Sequence, residues 1–116
     1  MACQLAPYPA DADDFKSATG AQVTLFVDSD SGTVRIIAAT SNGAPVALNA
    51  DGSVTFTTVA GLNIFDLAFV GADPSEVFRI KENCGDGTSQ QLLTWRLEPT
   101  PIEPGGPARQ IRIHAA

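Results

Sequence analysis

LNIFDLAFV (residues 62–70), the turn GADPS (71–75) and EVFRIKE (76–82) decide how this chain folds. Phe65, Leu67 and Phe69 occupy every second position of the first segment, and Phe78 and Ile80 do the same after Gly71, Asp73 and Pro74. Side chains of an extended strand alternate between its faces. A period of two on each side of a turn therefore predicts two adjacent antiparallel strands with their rings on one face. Leu62, Phe65 and Phe69 also fit helical spacing, so a helix over 62–70 is the minor alternative for so short an apolar run.

The same alternation extends outward from this segment. Toward the N-terminus, Val23, Leu25 and Val27 share one face, the turn Asp28-Ser29-Asp30-Ser31-Gly32 follows, and Val34, Ile36 and Ala38 form the inward set of the next strand. Ser41-Asn42-Gly43-Ala44 is a turn, and Pro45 opens a short strand with Val46 and Leu48. Asp51-Gly52 then predicts a hairpin into Val54 and Phe56, because Asp and Gly tolerate the positive φ of tight turns. Gly61, where the phase breaks, marks a corner or bulge. Toward the C-terminus, residues 83–87 form a turn, Leu93, Trp95 and Leu97 alternate, and Ile111 and Ile113 face inward in a last strand. The intervening PTPIEPGGP (99–107) is too rich in proline for a central strand and reads as a surface crossing.

Residues 1–21 show neither period. Pro7, Pro9 and the acids Asp11, Asp13 and Asp14 suggest an irregular N-terminal arm lying over a single domain of residues 22–116. The expected fold is all-β: an antiparallel immunoglobulin-like β-sandwich of about seven to eight strands. The resemblance to immunoglobulin-like domains is one of architecture, resting on strand number, turn spacing and the single Trp95. The Cys, Trp, Cys order of antibody domains is absent, since Cys3 and Cys84 both precede Trp95.

Seven Lys and Arg against thirteen Asp and Glu leave a net charge of −6, which disfavours phosphate backbones and anionic lipid as partners. Nucleic-acid binding is not expected. No apolar run approaches the length that crosses a bilayer, so membrane insertion is not expected either, and the chain as given has no secretory leader. Cys3 and Cys84 lack metal-ligand spacing; they offer one disulfide or two free thiols. A bridge, or a leader already removed, would place the chain outside the cytoplasm.

If the strands simply alternate in direction, Asp28, Asp30, Asp51 and Asp73, with Glu103, gather at one end, where clustered carboxylates would suit calcium. Asp, Ser and Gly also form turns without any ion, and the acidic twelfth position of a helix-flanked calcium loop is Ala39 here. His114, the one histidine, stands two residues from the C-terminus on an outward phase, with no spacing that brings it a nucleophile or a metal partner. Catalysis is therefore not expected. Phe26, Ile37, Ile64 and Leu92 fall on outer phases, as a protein or self-association interface or as cover for the arm. Three functional readings follow: a non-catalytic binding or structural module without a cofactor, a calcium-stabilised adhesion-type domain, and a small β-barrel holding an apolar ligand between Phe65, Phe69 and Phe78.

Overall fold

The computed structural model describes residues 3–73, 75–97 and 110–116. Pro74, Glu103 and the predicted crossing at 99–107 lie outside them. The described residues form the strands β1 (Ala6–Tyr8), β2 (Asp11–Ser17), β3 (Gln22–Ser29), β4 (Arg35–Ser41), β5 (Ala44–Val46), β6 (Val54–Thr57), β7 (Gly61–Val70), β8 (Val77–Asn83), β9 (Ser89–Arg96) and β10 (Gln110–Ala115), with no helix among them. A six-stranded sheet runs β1-β2-β10-β7-β4-β5, and a four-stranded sheet runs β6-β3-β8-β9. The two pack as a sandwich.

The pivotal segment is extended, as its period requires, but its two strands are not hydrogen-bonded neighbours. β7 pairs with β10 on one side and β4 on the other, while β8 pairs with β3 and β9 in the opposite sheet. Both edges of β7 are taken, so the turn at 71–76 carries the chain across the sandwich. Ser75, at φ 76°, donates its N–H to the Leu97 carbonyl, and Leu97 donates to the Glu76 carbonyl, which anchors that crossing. Phe69 and Phe78 meet across the core from opposite sheets, ring centroids 4.8 Å apart and planes tilted by 49°, rather than side by side in one sheet.

The Asp51-Gly52 turn forms, with Gly52 at φ 85° and the Asn49 N–H bonded to the Ser53 carbonyl. It too joins different sheets. β5 belongs with β4, and only the single bridge between Leu48 and Val54 remains of the expected hairpin. A tight hairpin within one sheet forms instead at β4–β5, where Asn42 and Gly43 take φ 50° and 87°.

The irregular N-terminal arm is corrected most. β1 and β2 form a hairpin, and β2 lies parallel to β10, with Ile113 paired to Phe15 and His114 to Lys16. The six-stranded sheet is therefore mixed rather than purely antiparallel, and the strand count exceeds seven or eight. The alternation in β2 is hard to see because Phe15 is its one large apolar residue.

Two bulges shift the phase of later side chains. One falls between Ile36 and Ala38, turning Ala39 inward in place of Ala38. The other leaves Leu92 without a partner on β8, because Ile80 pairs with Leu93 and Lys81 with Gln91. A bulge places an extra residue in one strand and re-aims the side chains that follow. The core is filled by rings and branched aliphatics: Phe65 and Phe78 are fully buried and Phe69 nearly so, with Phe56 stacked on Phe65 at 4.0 Å. Two open sheets packed ring to ring do not make the barrel with an apolar ligand between Phe65, Phe69 and Phe78.

Candidate functional site

In β2 and β10, alternation sends Phe15, Ile111 and Ile113 into the core. Asp14, Arg112 and His114 are left on the outer face. The parallel pairing brings them together: His114 Nε2 lies 2.7 Å from Asp14 Oδ2, and Arg112 Nε lies 3.6 Å from the same oxygen. The Asp14 side chain is only 6% exposed. Its charge is tolerated there because a permanent cation and an imidazole both face it. The Tyr8 ring stacks on the imidazole, centroids 3.8 Å apart and planes 6° from parallel.

The next strand continues this surface with apolar groups. Leu62 is paired in register with His114, and Ile64 with Arg112. Leu62 is 42% exposed and Ile64 half-buried. Tyr8, Asp14, Arg112, His114, Leu62 and Ile64 thus form one mixed aromatic, charged and apolar surface. His114, expected to be without partners, is held by two of them. Tyr8 and Asp14 carried no signal in the sequence, because both act through a parallel pairing that no local pattern announces.

The outer-phase residues do not share one surface. Ile37 sits at the β4 bulge, 40% exposed, toward the far end of the sheet from Leu62, while Phe26 lies on the four-stranded sheet. Leu92 is turned by its bulge to pack against the core, which corrects its outward assignment.

Three of the acidic residues read from the turns, Asp28, Asp30 and Asp51, are taken up by other partners. Asp28 binds Lys81 Nζ at 3.0 Å and Arg79 Nε at 3.2 Å, and Asp30 binds Arg79 at 3.0 Å. Lys81 first and Arg79 second hold the Asp28 carboxyl below its usual range. Asp51 is lowered by the Ser53 hydroxyl and N–H. The loops at 28–32 and 71–76 do meet, but Glu76 joins them rather than Asp73, accepting from the Ser31 N–H at 3.1 Å and the Ser31 hydroxyl at 2.7 Å. Asp28, Asp30, Asp51 and Asp73 do not converge as a calcium ligand set among the described residues. The cluster of potential ligands that does occur there is Cys3, Glu82 and Cys84. Its two sulfurs are bonded to each other, with Cα atoms 4.5 Å apart. The buried Glu82 carboxylate accepts from the Gln4 and Leu5 N–H groups and from Gln90. That group is a structural clamp.

No family model, curated protein or solved structure matches the chain.

Proposed function

We propose that the chain is a non-catalytic, immunoglobulin-like β-sandwich acting as a protein-binding or structural module in an extracytoplasmic setting. Its contact face is the surface built from Tyr8, Leu62, Ile64, Arg112 and His114. One observation carries this reading: Leu62 is left 42% exposed, in register beside His114 and next to the Ile64–Arg112 pair. Apolar side chains flanked by Tyr and Arg match the composition of the energetically dominant parts of protein interfaces.

Three further observations support it. The His114 Nε2 is occupied by Asp14, and no hydroxyl or thiol among the described residues is hydrogen-bonded to the imidazole, so a nucleophile–base pair is not assembled there. The bonded Cys3–Cys84 pair suits an oxidising compartment. The net charge of −6 favours a partner of opposite sign.

A photo-crosslinking side chain placed at Leu62, and separately at the exposed Thr57 on the other sheet as control, tests the assignment in the native milieu. The expected result is one defined protein adduct from position 62, absent from position 57 and lost when Arg112→Glu is added. Equal labelling from both positions, or none from position 62, would overturn it.

A further inference from the structure

The sandwich has four sheet edges, and three are closed to strand addition. β1 and β5 are three residues long and carry exposed Pro7 and Pro45. β6 is four residues long, and its outer side is taken by the Leu48–Val54 bridge and the bond from the Asn49 N–H to the Ser53 carbonyl. Shortness, proline and covering loops are the ordinary ways in which sheets avoid edge-to-edge pairing.

β9 is different. It is eight residues long and contains no proline. Its ladder runs to β8, and over residues 89–94 no backbone bond leaves its other side toward any described residue. From Gly87 to Trp95 the sequence holds no ionisable side chain, although the whole chain carries −6. A second copy approaching almost any acidic surface of this molecule meets like charge, whereas along this edge it meets none.

We infer that the edge of β9 over residues 89–94 pairs with the same edge of a second copy, antiparallel about a two-fold axis, joining two four-stranded sheets into one. A two-fold between Leu92 and Leu93 sets Gln91 opposite Thr94 of the other copy, a self-complementary contact of the kind two-fold interfaces require. Gln91 and Thr94 are both exposed on the same face, and Gln91 Nε2 donates to Thr94 Oγ1 at 3.2 Å within one chain. The bulge at Leu92 limits the length of the shared ladder, so the association is transient, burying below about 1,200 Å² in all. This edge belongs to the other sheet from the Leu62 surface.

Sedimentation velocity of the intact chain over a concentration series, with hydrogen exchange at each concentration, tests the pairing. The expected result is an apparent mass rising from 12.1 kDa toward twice that value, with protection of the 89–94 amides growing in step. The double variant Gln91→Glu/Thr94→Glu should stay monomeric. Within one chain its new carboxylates face Lys81 and Arg79 across the β8–β9 ladder, so its thermal midpoint should hold, while across the two-fold they face each other. Mixing it with Gln91→Lys/Thr94→Lys should restore a dimer. A chain that stays monomeric with concentration-independent exchange, a dimer indifferent to the glutamates, or protection rising at Leu62 and Ile64 instead would overturn the inference. The last outcome would still favour the contact face proposed above.

Discussion

Gln90 Nε2 donates to Glu82 Oε1 at 2.7 Å, from the position directly opposite it on the neighbouring strand. The same nitrogen donates to the Leu5 carbonyl at 2.7 Å, and the Glu82 carboxylate accepts from the Gln4 and Leu5 N–H groups at 2.8 and 3.2 Å. Glu82 is wholly buried. Two side chains thus serve as hydrogen-bond partners for a stretch of backbone that precedes the first strand, and they explain why an acid tolerates the interior.

Glu82→Ala should therefore destabilise the fold by roughly 2 kcal/mol or more, because it removes the acceptor of the buried Leu5 N–H and the part-buried Gln4 N–H at about 1–3 kcal/mol each, while Gln90 keeps its bond to the Leu5 carbonyl. Glu82→Gln keeps one acceptor oxygen and should cost less. Urea unfolding ranks the three proteins; an alanine variant as stable as the parent would show that water satisfies these groups.

The Cys3–Cys84 bridge fastens the same segment over a separation of 81 residues. On the chain-entropy model, Cys3→Ser should lower stability by about 4.5 kcal/mol. Denaturant midpoints with and without the substitution measure it. A change below about 1 kcal/mol would mean that the Glu82 clamp and the β1–β2 hairpin already restrict the unfolded chain's gain.

Gly71 stands where the chain leaves the six-stranded sheet, and a Cβ there would come within 2.8 Å of Leu97 Cδ2 and 3.0 Å of Val34 Cγ2. Leu97 can swing aside, but Val34 is stiff at χ1. Gly71→Ala should cost roughly 1–3 kcal/mol as overpacking. In a double-mutant cycle, Leu97→Ala should be less damaging on the Gly71→Ala background than on the parent; strict additivity would place the clash elsewhere.

The Asp28 carboxyl is depressed by Lys81 and then Arg79. A depressed folded-state pKa adds stability that is fully present above the ordinary aspartate value and disappears as pH falls through the lower folded value. Asp28→Asn should consequently flatten the acid side of the stability curve and have its largest effect near neutrality. Urea midpoints at about pH 7 and about pH 3 test this, and the difference should shrink in high salt because the pair is open to solvent. Parallel pH profiles for variant and parent would remove Asp28 from the acid response.

Much of the candidate site was out of reach of the sequence. The outward, half-buried position of Ile64 could be read from its phase, since Phe65 and Leu67 point the other way. Leu92 shows how such reading fails: one extra residue in β9 reverses its face, and no feature of Gln91, Leu92 or Leu93 announces the bulge. His114 was legible as outward-facing, but its partner Asp14 lies 100 residues away in the chain.

By itself the sequence determined which segments are extended and which residues of most strands enter the core, because alternation is local and the apolar side chains mark the buried face. Only the tertiary structure decided which strands are neighbours. It set β7 and β8 in opposite sheets, laid β2 parallel to β10, and brought Cys3 to Cys84 and Asp14 to His114. The physical reason is that ladder hydrogen bonds are made by backbone groups common to nearly all residues, so a strand's own side chains record the face it buries but carry almost no record of the edge it joins.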